Sequence, residues 1–211
     1  MRTLTSMLIA GALALSLAAC QQRAVGVSAA TDEDFAMGPA TAKVTVVEYA
    51  SVACPHCAAF DNEVFPAFKA KFIDTGKVRY VAREALTGDP AIAAAGFLTA
   101  RCAGKDKYFK VVEAIYHAQA TIMGPGGEPH AGLLAIARSV GMTDAQFESC
   151  IKDETALNAL NARWNKYVTE DKIDSTPTFV VNGKMLPPGE ITLDTLSAAV
   201  TEAAAGAKAA S

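Results

Sequence analysis

Two cysteines separated by two residues, in the run Cys54-Pro55-His56-Cys57, are the side chains of this 211-residue sequence best equipped for chemistry. At the start of a helix such a pair can close and reopen a small disulfide ring, so it reads as a redox dithiol and not as a structural bridge. If Cys54 is the helix N-cap, Pro55 falls at the first helical position, where its fixed φ suits the helix and its missing N–H costs nothing. The N–H groups of His56 and Cys57 then point back at the Cys54 sulfur, beside the positive end of the helix dipole. A thiolate is favoured there. Cys54 is accordingly the sulfur that another thiolate attacks in the disulfide form, and Cys57 is its buried partner. His56, between them, can stabilise the thiolate by charge or hydrogen bonding, which favours the dithiol and makes the disulfide an oxidant.

Other reactive side chains are scattered. Glu48 lies in an otherwise apolar strand six residues before Cys54; a buried carboxylate is costly there, and it could relay a proton to or from Cys57. Asp61, four residues after Cys57, shares a helix face with it and reads as a hydrated surface acid. His117 and His130 have no ligand spacing and read as structural, and Trp164 falls in a helical pattern with Leu157 and Leu160 as a core residue. Thiolates suit copper(I), so Cys54, His56 and Cys57 would also serve a soft-metal carrier; no methionine-rich or second histidine cluster assists.

Residues 44–50 are nearly continuous in apolarity and read as a strand covered on both faces. The helix opened by Cys54 carries Phe60, Val64, Phe68 and Phe72 at four-residue steps, is bent by Pro66 and ends at Gly76. Residues 78–84 alternate as a second strand. Asp89-Pro90 then opens a block with no strand signal, in which helices are expected at 90–103, 107–120, 131–140, 144–152 and 155–168. Thr143 with Gln146 gives the fourth a capping box. Residues 123–129, rich in glycine and proline, lack phosphate-loop spacing and read as a connector. Strand character returns at 178–181, Asn182-Gly183 signals a hairpin, and a last amphipathic helix is expected over 193–204.

The net charge of −3, with no lysine or arginine run, excludes a nucleic-acid partner. Residues 1–20 have the parts of a signal peptide, and Leu17-Ala18-Ala19-Cys20 resembles a bacterial lipobox whose cysteine is lipidated and anchors the protein to a membrane. The alternative is ordinary cleavage near Ala29, which discards Cys20. Assigning Cys20 to lipid and Cys54 with Cys57 to redox leaves Cys102 and Cys150, of five cysteines, for each other, as expected in an oxidising compartment. Residues 21–37 read as a flexible tether, and Gln21 after Cys20 resembles outer-membrane sorting.

The order of strand, Cys-Pro-His-Cys helix, strand, long helical block, Thr176-Pro177-Thr178-Phe179, hairpin and final helix resembles the DsbA-like branch of the thioredoxin superfamily. The resemblance implies an α/β thioredoxin fold at 38–88 and 174–205, with a large all-helical insertion at 89–173 between the second strand and the Thr-Pro loop. It implies a cis Pro177 across from Cys54, with the Thr176 backbone free to pair with an extended substrate chain. Ser175 stands where the family has a glycine, and Glu48 matches its buried acid. The implied activity is that of a periplasmic thiol:disulfide oxidoreductase, mainly an oxidase of reduced or unfolded exported proteins, with no cofactor and no metal, reoxidised by a quinone-linked DsbB-type membrane partner. A disulfide reductase or isomerase is the rival in the same class; a copper(I) chaperone, or a holdase using the groove near Pro177, is the rival from another.

Overall fold

The computed structural model describes residues 30–189 and 191–209. The expected signal peptide at 1–20, Cys20 and Ala29 lie outside the described residues. A five-stranded sheet runs in the order β1-β3-β2-β4-β5. Its centre is β2 (Val44–Ala50), parallel to β3 (Val78–Glu84) and antiparallel to β4 (Thr178–Val181). β1 (Phe35–Met37) and β5 (Lys184–Met185) form the edges. Burial on both faces explains the nearly continuous apolarity of β2. Val44 and Val46 pack with Tyr80 and Phe179 against Phe60, Phe68 and Leu196, while Val47 and Tyr49 pack on the other face with Val81, Tyr167 and Ile173.

The helix after Cys54 is interrupted. α1 (Pro55–Glu63) is followed by α2 (Phe65–Phe68) and a π-helical turn, Lys69–Ile73. Pro66 has no N–H to continue the ladder, and the wider turn still buries Phe68 and Phe72. Gly76, at φ 71°, ends the segment. The helical block comprises α3 (Pro90–Cys102), α4 (Tyr108–Met123), α5 (Pro129–Ser139), α6 (Asp144–Ile151) and α7 (Glu154–Thr169). Asp89 caps α3 through Ala91 and Ile92, and Thr143 with Gln146 forms the capping box of α6. Cys102 and Cys150 are bonded across 48 residues, joining the end of α3 to α6; a loop of that length is worth about 4 kcal/mol in the chain-entropy treatment. The Asn182-Gly183 hairpin has φ of 45° and 81°, and Asn182 Oδ1 accepts from Thr45 N–H at 2.7 Å, fastening the turn to β2. α8 (Leu193–Ala209) closes the chain. Among the described residues no helix is long and apolar enough to cross a membrane.

The segment 21–37 does not remain a tether throughout, because Phe35–Met37 adds to β3 as an antiparallel edge and Phe35 stacks on Tyr108 with ring centroids 3.5 Å apart. A three-residue strand is too short to show a period, and its anchors lie far along the chain.

The end of β3 carries two buried charges on opposite faces. Arg83 pairs with Asp171 at 3.0 Å and with Asp34 at 3.4 Å, and also donates to the Tyr49 hydroxyl. Glu84 is gripped by Arg101 at 2.8 Å, Arg163 at 3.1 Å and the Tyr108 hydroxyl at 3.1 Å, tying α3, α4 and α7 to the sheet. Replacing Arg83 with methionine, which keeps the stem but strands two carboxylates, is expected to cost about 3–5 kcal/mol of unfolding free energy. Urea titration of the variant against the native protein measures it.

Candidate active site

The strand-to-helix turn sets the site. β2 ends at Ala50, and Cys54 takes extended backbone angles, φ −95° and ψ 121°, with Pro55 at the first helical position. The Cys54 carbonyl accepts from the N–H groups of Cys57 and Ala58, both at 3.1 Å. Gln119 of α4, itself buried, donates to the carbonyls of Val52 at 2.8 Å and Cys54 at 3.1 Å. The turn is therefore clamped by the helical insertion, a role no motif signals in the sequence because Gln119 lies 65 residues on.

Both cysteines are free thiols, Cys54 with 8% of its surface exposed and Cys57 with none. Their environments push them in opposite directions. The Cys54 thiol is held down to about 5, first by the hydrogen bond offered by the Cys57 thiol, then, against the opposing effect of burial, by the Thr176 side chain and the backbone N–H groups of Cys57 and His56. Neither amide makes a linear capping bond to the sulfur; both act on it as nearby dipoles. Burial pushes the Cys57 thiol well up, aided by Cys54 and by Glu48, and only Ser51 N–H, 3.4 Å from Cys57 Sγ, works the other way.

The loop before β4 completes the site. The Thr176-Pro177 bond is cis, and Cys54 Sγ donates to the Thr176 carbonyl at 3.4 Å. The His56 ring is exposed and lies, with Phe60, Pro177, Pro188, Ile191 and Leu193, along an open groove of about 510 Å³ beside Cys54. His56 acts on the sulfur through its backbone N–H.

Glu48 is buried and accepts a hydrogen bond from the Tyr80 hydroxyl. Its carboxyl is pushed up to about 8 by burial, opposed by Tyr80 and reinforced by the charges of Asp61 and Cys54. It is therefore largely protonated at neutral pH. Asp61, expected to be a hydrated surface acid, is half-buried with its carboxyl raised to about 6, chiefly by burial. It lines, with Glu48, Tyr80, Glu113 and Tyr116, a cavity of about 510 Å³ on the side of the sheet covered by α4. Its helix position was plain from spacing, but α4 packing over it was not. His117 and His130 are exposed and face Glu113 and Glu148. Trp164 is half-buried against both the insertion core and the second sheet face.

Comparison with known proteins agrees with this arrangement. The profile of a family described as Thioredoxin matches residues 30–202. A protein of Rickettsia bellii described as a candidate protein-disulfide oxidoreductase is 31% identical over 172 residues, covering 82% of this chain and 65% of its own length. The chain thus spans just under two thirds of that relative. Among solved structures, alpha-DsbA1 of Wolbachia pipientis superposes with a TM-score of 0.75 at 22% identity, over 85% of this chain and 95% of that one. A thioredoxin-like oxidoreductase from Silicibacter pomeroyi superposes with a TM-score of 0.64 at 28% identity, over 83% and 94%.

The protonated Glu48 has a measurable consequence. Its carboxyl ionises at about 8 when folded, against an ordinary value of 4.5, so the folded protein keeps a proton that the unfolded chain releases across this window. The contribution of this group to stability is greatest below that range and falls as pH rises through it. Glu48→Gln removes the titration, and its stability relative to the native protein is expected to improve by about 2–4 kcal/mol between pH 5 and pH 8. Denaturant midpoints at the two pH values test this; an unchanged difference would show that Glu48 is ionised in the fold.

Proposed function

Because the chain belongs to the thioredoxin family and carries the DsbA-like arrangement of a helical block set into the sheet, we propose that it is a thiol:disulfide oxidoreductase acting mainly as an oxidase of exported proteins. The observation that carries this reading is the opposite displacement of two neighbouring thiols, Cys54 down to about 5 and Cys57 up. At pH 7 about a hundred Cys54 thiolates stand for every thiol, a stabilisation available only once the disulfide has opened. The disulfide is thereby made the stronger oxidant.

The chemistry follows from exposure and charge. A client thiolate attacks Cys54 Sγ, because Cys57 is out of reach; the Cys54–Cys57 bond breaks and Cys57 leaves with the electron pair. Cys57, buried and poorly able to hold charge, takes a proton, and protonated Glu48 is the nearby acid suited to supply it. A second client thiolate then attacks the client sulfur of the mixed disulfide and expels Cys54, a good leaving group because its thiolate is stabilised. Two client thiols are oxidised to one disulfide and the protein disulfide is reduced to the Cys57 thiol and the Cys54 thiolate; of the two client protons, one restores Glu48 after its own has passed to Cys57, and the other reaches solvent.

The groove beside Cys54, apolar along Phe60, Pro177, Ile191 and Leu193, suits an unfolded chain, and the Thr176 backbone offers it main-chain pairing. By family resemblance a quinone-linked DsbB-type membrane oxidase restores the disulfide. The protein works in the periplasm, anchored through lipidated Cys20, with the outer membrane favoured by Gln21. A copper(I) chaperone is disfavoured because Cys57 is fully buried and turned into the fold, and thus poorly placed to present a ligand.

A Cys57→Ala variant expressed in cells tests the reading, since its Cys54 cannot be released by its partner. Mixed disulfides joining Cys54 to exported, thiol-bearing clients are expected, and Cys54→Ala in the same background abolishes them. Absence of any such adduct would overturn the proposal, and adducts formed only with clients already holding disulfides would assign a reductase or isomerase.

A further inference from the structure

A continuous run of polar contacts links the two active-site sulfurs through a residue that no motif marks. Thr87, in the loop between β3 and α3, places its Oγ1 2.5 Å from Thr176 Oγ1. The Thr87 carbonyl accepts from the Ser51 hydroxyl at 2.8 Å, and the Ser51 oxygen accepts from Ala53 N–H at 3.2 Å. Ser51 N–H reaches Cys57 Sγ at 3.4 Å, and Cys54 Sγ lies 3.4 Å from the Thr176 carbonyl. Ser51 is fully buried, while Thr87 and Thr176 are half-buried, so water competes weakly for these groups.

The protons available on these groups orient the run. Each hydroxyl has one proton and spare lone pairs. The Ser51 proton is committed to the Thr87 carbonyl. Cys54 Sγ lies 3.4 Å from the Thr176 carbonyl, to which it can no longer donate once ionised, and the hydroxyl of that same residue is then the side-chain donor the loop has to offer the charged sulfur. The Thr176 oxygen then needs a proton from elsewhere, and Thr87 Oγ1 is in place to give one. Hydrogen bonds in series polarise one another, so a donor to Thr176 strengthens the bond that Thr176 makes.

We propose that Thr87 is a positioning residue for Cys54: its hydroxyl donates to Thr176 Oγ1 and thereby commits the Thr176 proton to the Cys54 thiolate. The inference rests on the thiol–disulfide reading and extends it from the loop residue that touches the sulfur to the one that holds that residue. The other titratable groups around Cys54 are Cys57, the neighbouring His56 and, behind the pair, Glu48; none sits on the Thr87 loop. Asp89, two residues after Thr87, is committed to capping α3.

The test is the pH profile of Cys54 alkylation by iodoacetamide in the reduced protein, with circular dichroism establishing that each variant is folded. Thr87→Val removes the hydroxyl at constant shape and is expected to raise the Cys54 midpoint by about 0.5–1 unit, a three- to tenfold loss of thiolate stabilisation. Thr87→Ser is expected to restore the native midpoint. Thr176→Val raises the midpoint at least as far, and Thr87→Val adds nothing in that background. Should valine distort the loop, Thr87→Ala makes the same comparison. An unshifted midpoint in the folded Thr87 variants, or an equal shift in both backgrounds, overturns the assignment of Thr87 alone. A native midpoint near 9 overturns the thiol–disulfide reading beneath it.

Discussion

A negative charge on one sulfur at the start of a helix is the constraint around which this protein is built. The helix supplies N–H dipoles at His56 and Cys57, each a smaller influence than the burial that opposes the charge. The balance is tipped by two further donors, the Cys57 thiol one helical turn on and Thr176 from the distant cis-proline loop. Neither has any effect unless it is held at hydrogen-bond distance, so the rest of the fold acts as a brace. Gln119 fixes the turn from the insertion side. Arg83 and Glu84, adjacent at the end of β3 and facing opposite ways, fix the frame behind it. Arg83 fastens Asp171, five residues before Thr176, and β3 itself leads into the loop that carries Thr87. Both sides of the Thr87–Thr176 contact are thus anchored by one buried pair of charges.

Of Cys54, Cys57 and Glu48, Cys54 alone is charged at neutral pH. Cys54 is ionised, while Cys57 and Glu48 keep their protons because burial penalises their charged forms and the nearby Cys54 raises the cost of charging either. A second anion would face the first across a low-dielectric gap. The neutral Glu48 is consequently more than a tolerated polar group. In the proposed mechanism it provides a proton where Cys57 requires one, without a charge that would weaken the stabilisation of Cys54.

Features whose physics is local were legible in the sequence. Cys54-Pro55-His56-Cys57, the Asp89 cap, the Thr143–Gln146 capping box and the Asn182-Gly183 turn each rest on residues within one turn of one another, and the structure places all of them as helix or hairpin signals. The helical block was readable because no strand period interrupts it. What escaped were side chains whose meaning depends on distant partners. Asp34 looked like part of a solvated tether until Arg83, 49 residues on, gave it a buried counter-charge. Asp61 looked hydrated until α4 covered it. Thr87 and Gln119 are ordinary polar residues whose role appears only when the sheet brings Thr176 and the Cys54 turn beside them. The π-helical turn after Phe68 was hidden for a different reason: the bend at Pro66 was expected, but how the aromatic stripe would be kept buried beyond it was a matter of packing.

The central claim, that differential stabilisation of the Cys54 thiolate makes this disulfide an oxidant, is tested most directly by its equilibrium with glutathione at pH 7. A Cys54 thiol ionising at about 5 is two units more acidic than the ~7 of thioredoxin, which shifts the potential upward by about 50 mV from thioredoxin's roughly −270 mV. The expected value is therefore less negative than about −220 mV. A value at or below about −270 mV would contradict the claim, since the charged sulfur would then contribute nothing to the energetics of the pair.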